Sequence, residues 1–428
     1  MLNRTAPQPQ LPQHSRVRPQ APAMLRRPLP LAILLFILVE TLFLIRLSVP
    51  HQPVFDETHY VPAARALVAL SGPANVEHPL LAKWLIALGM RLFGDTPFGW
   101  RIMSTLAGST TIVAVFATTW LMTGRRRPSL LAAALTLLGF TVYIQARIAM
   151  LDGFMLAFLT AAIAMAGWTL RRGGWWRWGI VAMLLGCAVA CKWLAAPYVA
   201  FAAAAFVIFK REDPRCFPGL TIIPALAILG IVSVATYFLT FAPAFFYASE
   251  PMTLARMLPV QLDMYERQTQ VLPPHTYQSS WWTWPLLIRP IWYLYEPADG
   301  AQRGILLLGN PAIMWTGLVA VAACWWGWIK SGSPRLFAAG SLWIGSLAIW
   351  AAIPKSLGFY YYYYPSSVFI VIAIVAALDH WRARTRGWDV ALLAIAAGLA
   401  VYFYPVLSAQ ALPDAGAFRH WTWFSTWV

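Results

Sequence analysis

The sequence predicts an all-α polytopic membrane protein of about 11 transmembrane helices, with the N-terminus inside and the C-terminus outside. Three observations lead there. Of 428 residues, 60% are hydrophobic and 11% charged, against about 25% charged in an ordinary soluble domain. Apolar runs of about 20 residues, the length that crosses a hydrocarbon core of about 30 Å, recur along the chain. Lysine and arginine gather in short segments between alternate runs, as the positive-inside rule requires.

Taken in order, residues 1–30 are rich in Pro, Gln and Arg and predict a disordered cytoplasmic arm. Span one, about 31–47, follows Arg26 and Arg27 and lacks an A-x-A-like cleavage site, so it reads as an anchor and not as a signal peptide. An external loop, 50–99, leads to span two (100–123) and back to Arg125, Arg126 and Arg127. Span three (130–146) exits near Arg147 and Asp152, and span four (153–170) returns to Arg171, Arg172 and Arg177. A hairpin of two shorter spans, 178–190 and 193–209, ends at Lys210, Arg211 and Arg215. Span seven (220–241) opens a second external loop, 242–304, closed by span eight (305–329) with Lys330 and Arg335 inside. Spans nine (336–353), ten (359–378) and eleven (390–404) complete a transmembrane unit, 31–405, and leave 406–428 as an external tail.

The net charge of +16 does not imply nucleic acid, because no soluble domain exists to present a basic face. Cys187, Cys191, Cys216 and Cys324 imply neither a disulfide framework nor a zinc site. The same topology sorts the acids. Glu212, Asp213, Asp379 and Asp389 fall inside and Glu40 lies within span one, while the other eleven fall outside or at the outer boundary. Carboxylate chemistry therefore belongs to the external side.

Asp56 and Glu57 follow span one directly, with His59 and Tyr60 beside them, at a depth where ionisable groups are costly. Two neighbouring acids can divide roles, one acting as base while the other orients or ligates. A solvated helix N-terminus, favoured by the dipole, explains the same pair. The stretch from Glu77, with His78 and Lys83, reads as an interfacial amphipathic helix. Trp281, Trp282 and Trp284 fit a stacking surface for sugar or lipid, or an ordinary interfacial aromatic belt. Lys192, beside Trp193, reads more simply as the cap of a short hairpin than as a ligand-binding group.

The order of these elements resembles the protein O-mannosyltransferase family of GT-C membrane glycosyltransferases. The matching text is Phe55-Asp56-Glu57-x-x-Tyr60, Glu77-His78-Pro79, Lys83, Gly89, Phe98-Gly99-Trp100-Arg101, Arg147 through Asp152, Cys191-Lys192-Trp193, Tyr277 through Pro285, Arg289-Pro290 and Gly309-Asn310-Pro311. Leu80 and Ala82 depart from it, standing where the family often has a second proline and a glycine. The resemblance implies a GT-C fold and an inverting transfer from a polyprenyl-phosphate sugar, with mannose the leading donor and serine or threonine of an exported protein the leading acceptor. It implies a bacterial inner-membrane location with the site facing the periplasm. Asp56 becomes the candidate general base and Glu57 its catalytic partner. Arg101, His78, Lys83, Arg147, Asp152 and Arg289 become candidates for the donor phosphate and sugar, and Tyr60 and the tryptophans for acceptor or lipid. No metal is required: the acidic pair leaves room for a divalent cation, but nothing fixes an octahedral oxygen set. Two alternatives stand beside this. One keeps the donor type but acts on lipid, lipid A or polysaccharide; the other is a lipid or solute transporter, disfavoured because the ionisable groups gather at helix ends and not at midplane.

Overall fold

The computed structural model describes residues 28–428, so the expected disordered arm lies almost wholly outside the described residues. The chain runs α1 (Pro28–Leu44), α2 (Glu57–Ala69), α3 (Leu81–Phe93), α4 (Pro97–Thr123), α5 (Arg126–Leu137), α6 (Thr141–Gln145), α7 (Leu151–Arg172) and α8 (Trp175–Cys191). It continues through α9 (Ala196–Glu212), α10 (Ile222–Leu239) and α11 (Pro259–Gln268) to the strands β1 (Ile291–Ala298) and β2 (Ala301–Leu307). The last helices are α12 (Pro311–Ser331), α13 (Pro334–Ala348), α14 (Tyr364–His380) and α15 (Trp388–Leu407). Pro97, Pro311 and Pro334 open their helices where a missing N–H costs nothing, and Gly124 and Gly332 close theirs in the left-handed region.

Among the described residues seven helical stretches are long and apolar enough to cross a membrane, and α1 and α8 are shorter apolar helices. The stretch containing α14 is the most enclosed, with 89% of its apolar window buried against 22% for those of α9 and α10. α14 is therefore the bundle's axis, while α9 and α10 turn apolar side chains outward. α4, α7, α8 and α10 pack in succession around one side, and α12 and α13 flank α14 on the other.

Three expectations are corrected in detail. Span three is two helices, α5 and α6, bent at Phe140 (φ 69°). The break is tolerated because buried Asn310 repairs it: its side chain donates to Leu138 O (2.9 Å) and its backbone N–H to Gly139 O (3.1 Å). Span eight begins only at Pro311, since residues 305–307 belong to a β-hairpin. Asp299 and Gly300, both at positive φ, make its two-residue turn, and the alternating apolar and aromatic residues before it are a strand signal. Finally, the tail 406–428 is packed against the fold. Trp427 is fully buried and donates from Nε1 to Leu287 O, while Trp292 donates to Trp427 O.

Candidate active site

The connection from α1 to α2 is fixed from beneath. Glu57 and Arg101 form a bidentate pair, both fully buried, with Nε to Oε1 at 2.9 Å and Nη2 to Oε2 at 2.8 Å. The remaining guanidinium N–H groups donate to the carbonyls of Leu47, Pro50 and Gln52, and Glu57 also accepts from the backbone N–H of Val54 and Ala149. All five donors of Arg101 are thus occupied. Arg147 does similar work, donating to the carbonyls of Phe43, Ile45 and Arg46 at the end of α1. Close packing of α3 on α4 sets Arg101's height: a Cβ on Gly89 would stand 2.3 Å from the carbonyl oxygen of Gly99.

Asp56, one residue away, turns toward a cavity of about 430 Å³ where α2, the 75–78 loop, the α8–α9 turn, α11 and the segment before α14 meet. Its carboxylate accepts one side-chain hydrogen bond, from Tyr60 Oη at 3.1 Å. Burial raises the carboxyl above its ordinary range, and the Lys192 ammonium and the Tyr60 hydroxyl partly offset that rise. The Tyr60 hydroxyl, buried beside Asp56, is pushed well above its ordinary value and stays a donor.

Lys192 enters the same cavity from the α8–α9 turn. Its Nζ lies 2.7 and 2.9 Å from the oxygens of buried Asp152, in the first turn of α7, and 5.2 and 5.4 Å from the ring centres of Tyr361 and Tyr362. Burial alone would depress the ammonium, but Asp152 and Tyr362 outweigh it and raise the group, so Lys192 is a permanent cation. Lys355 lines the cavity too; burial chiefly, with Lys192 nearby, brings it down to about 8. Burial holds the His78 imidazole well below its ordinary value, hence neutral. Its Nδ1 and the Asn75 Oδ1 are buried without a hydrogen-bond partner among the described residues, the condition in which polar groups await a ligand.

The other expected residues stand one layer back. Lys83 Nζ donates to the carbonyls of Asn75 (2.7 Å) and His78 (2.8 Å), so it shapes the 75–78 loop from behind; burial draws its ammonium down to about 7. Arg289 donates to the carbonyls of Thr276 and Thr426, joining the second external loop to the tail. Trp284 is buried against Trp350, Trp281 is half-buried and Trp282 is 63% exposed; none of the three lines the cavity. Of the residues singled out in the sequence, Asp56, Tyr60 and His78 line the cavity, and Asp152 lies behind Lys192 as its counter-ion. Sequence reasoning read Lys192 first as a hairpin cap and did not single out Lys355 or Trp350, which line the cavity with Tyr361 and Tyr362. The signal for Lys192 was present, as a lysine between two apolar runs. Among the described residues no three His, Cys, Asp or Glu side chains converge on a point; the cavity's two carboxylates are Asp56 and Glu77.

A second, almost wholly apolar cavity of about 370 Å³ lies among α7, α8, α9 and α13. Pro197 and Trp350 border the first cavity, and Tyr198, Phe201, Leu342 and Gly345 the second.

Comparison with known proteins fits this arrangement. A family model described as dolichyl-phosphate-mannose-protein mannosyltransferase matches residues 77–241, and one for the C-terminal four-helix transmembrane region of protein O-mannosyltransferase matches residues 253–331. A polyprenol-phosphate-mannose–protein mannosyltransferase of Corynebacterium glutamicum is 26% identical, covering 88% of each chain; one from Mycobacterium tuberculosis is 28% identical over 64% of this chain and 65% of its own. Among solved structures, the protein O-mannosyltransferase complex of S. cerevisiae bound to the sugar donor superposes with a TM-score of 0.80 at 14% identity, over 95% of this chain and 94% of that one. ArnT of Cupriavidus metallidurans bound to undecaprenyl phosphate gives 0.58 at 17% identity, over 87% and 65%. The fold is that of a GT-C membrane glycosyltransferase. Within that class the two family models, which meet most of the chain between them, place it more narrowly: the chain belongs to the protein O-mannosyltransferase family.

Proposed function

We propose that this chain transfers mannose from a polyprenyl phosphate to a serine or threonine hydroxyl of an exported protein, inverting the sugar carbon. The observation that carries the reading is the presence, in one cavity, of a carboxylate with a single side-chain partner and a fixed ammonium, Asp56 and Lys192. Asp56 takes the proton as the acceptor oxygen attacks the sugar carbon, and the bond from that carbon to the lipid phosphate breaks on the opposite face. The phosphate leaves with negative charge, which Lys192 stabilises, assisted by Lys355. His78 and Asn75 meet sugar hydroxyls with the polar atoms they leave unpaired. The apolar cavity along α9 and α13 seats the first prenyl units. Glu57, Arg101, Arg147, Lys83 and Arg289 position this machinery without touching substrate.

The names carried by the Corynebacterium and Mycobacterium relatives support mannose and a protein acceptor. The topology that suits the reading keeps eleven spans, N-in and C-out, in the bacterial inner membrane with the cavity toward the periplasm. No step passes through a divalent cation, so transfer persists in excess chelator. A second reading follows the arabinosyl transferase of Sodalis glossinidius, 29% identical over 36% of this chain: the same donor chemistry applied to a lipid acceptor.

The test is transfer in liposomes containing purified protein, synthetic polyprenyl-phosphate mannose and a Ser/Thr-rich peptide, with Asp56→Asn alongside. Mannosylated peptide that disappears in the variant supports reaction and base together. Donor binding without peptide transfer moves the assignment to the lipid acceptor, and failure to bind the donor sinks the sugar assignment.

A further inference from the structure

A second polar cavity, of about 140 Å³, lies between α5, α14 and α15 at the end of α14 remote from the candidate active site. Tyr361 and Tyr362, just ahead of α14, line the first cavity, whereas Asp379 in its last turn lines this one. The walls change character with depth. Arg125, Arg127, Arg382 and Arg386 stand at the rim, while Leu131, a turn into α5, and Val375 and Leu378, back along α14, make an apolar floor. Exposed Trp388 and half-buried Trp381 lie beside it, the residue type that gathers where headgroups meet hydrocarbon.

The charge here does not cancel. Arg125 pairs with Asp379, and Arg127 with Asp389 at 2.6 Å. Among the described residues Arg382 and Arg386 have no acidic or hydrogen-bonding partner for their guanidinium groups, and residues 1–27 contain no Asp or Glu. α5 and α15 both begin here, adding the positive ends of two helix dipoles. The space is smaller than the ~300–1,000 Å³ of pockets for drug-sized ligands, but it admits a phosphate group.

We propose that this cavity binds the phosphodiester headgroup of one anionic phospholipid in the leaflet opposite the active site. Arg382 and Arg386 hold the phosphate, and the start of an acyl chain lies on Leu131, Val375 and Leu378. Free phosphate would satisfy the rim but leave the apolar floor bare. A phospholipid satisfies both, and basic pockets between membrane helices favour such headgroups.

Native mass spectrometry of the full chain in neutral detergent, titrated with phosphatidylglycerol or phosphatidylcholine, tests this. A one-lipid adduct is expected with phosphatidylglycerol at concentrations where phosphatidylcholine gives none. Arg382→Ala/Arg386→Ala weakens it by about tenfold or more. Arg172→Ala/Arg211→Ala removes equal charge from the same end outside the cavity and leaves the adduct intact. Neither variant breaks an ion pair among the described residues, and Arg382→Gln/Arg386→Gln serves equally should the alanine double variant misfold. Absence of the adduct, equal binding of phosphatidylcholine, equal weakening by both double variants, or displacement of the lipid by an equal concentration of inorganic phosphate overturns the proposal.

Discussion

Asp56 and Glu57 are adjacent acids of similar chemistry, and the structure treats them oppositely. Glu57 receives two N–H groups from Arg101 and two from the backbone, at Val54 and Ala149. Asp56 receives one hydroxyl and opens on a cavity with Lys192 on its wall. A carboxylate whose lone pairs are all engaged by donors is held in place by them and has none left to meet a substrate hydroxyl. One that is desolvated and half satisfied sits closer to the protonation balance a base requires. Completeness of hydrogen bonding separates the two better than residue type or position in the motif.

The sharpest way to break the comparison is to remove the buried pair. Arg101→Ala or Glu57→Gln leaves a partner uncompensated away from water and is expected to cost about 3–5 kcal/mol, read as a large drop in thermal unfolding temperature. Arg101→Lys also fails, because a lysine cannot reproduce five donors in a planar fork. The matched change at the neighbour, Asp56→Asn, is expected to lower kcat about 10²–10⁴-fold with little effect on unfolding. If Asp56→Asn unfolds the protein while Glu57→Gln stays folded and inactive, the roles are reversed.

Lys192 tests the other half of the cavity. Lys192→Ala removes the cation expected to face the leaving phosphate, and a loss of about 10²–10³ in kcat follows. Lys192→Ala also leaves the Asp152 carboxylate buried without its counter-ion and so costs stability, while Asp152→Asn differs in keeping the ammonium. That second change strips the buried counter-ion, so Lys192 loses what holds it charged, and activity falls together with stability. Equal kcat and altered KM alone in Lys192→Ala would instead mark a group that binds substrate and transition state alike.

pH sharpens the comparison at smaller amplitude. Asp56 acts when deprotonated, so activity rises with pH through a carboxyl value lifted above its ordinary range by burial. Lys355 assists when protonated and titrates at about 8, so activity declines as pH passes through that value. Lys192, raised by Asp152, stays charged across the same window. Lys355→Arg keeps its charge at all these pH values and should remove the alkaline limb from a kcat profile while leaving the acid limb in place.

The bundle was legible because length and hydrophobicity alone report a membrane span, and most expected spans fall within a few residues of the observed helices. Places where tertiary partners override the local pattern were not legible. The bend at Phe140 depends on Asn310, far away in sequence, to satisfy freed carbonyls. The hairpin around Asp299-Gly300 did carry its local turn signal, but its second strand is apolar enough to merge into the helix that follows. At the site, neighbouring side chains leave a helix start in different directions. Only the packing of α4 and the 149 backbone decides that Glu57 points inward and Asp56 toward the cavity. Lys192 was misjudged because its partner Asp152 is 40 residues away, so a buried ion pair looked like a lone interfacial lysine.

The smallest expected effect separates aromatic residues that share a composition but not a location. Trp282 is 63% exposed and outside the cavity, whereas Trp350 is 8% exposed, lies on its wall and stacks on Tyr362 at 4.4 Å. Trp282→Ala is therefore expected to leave transfer rate and stability nearly unchanged, within about 0.5 kcal/mol, as for surface substitutions generally. Trp350→Ala should cost about 3–5 kcal/mol in stability, as large-to-small changes in packed interiors do; Trp350→Phe, which keeps a ring against Tyr362, should recover most of it. A strong kinetic defect in Trp282→Ala with unchanged unfolding would move substrate contact from the cavity wall to the exposed tryptophan surface, and would restore to that segment the stacking role its composition suggests.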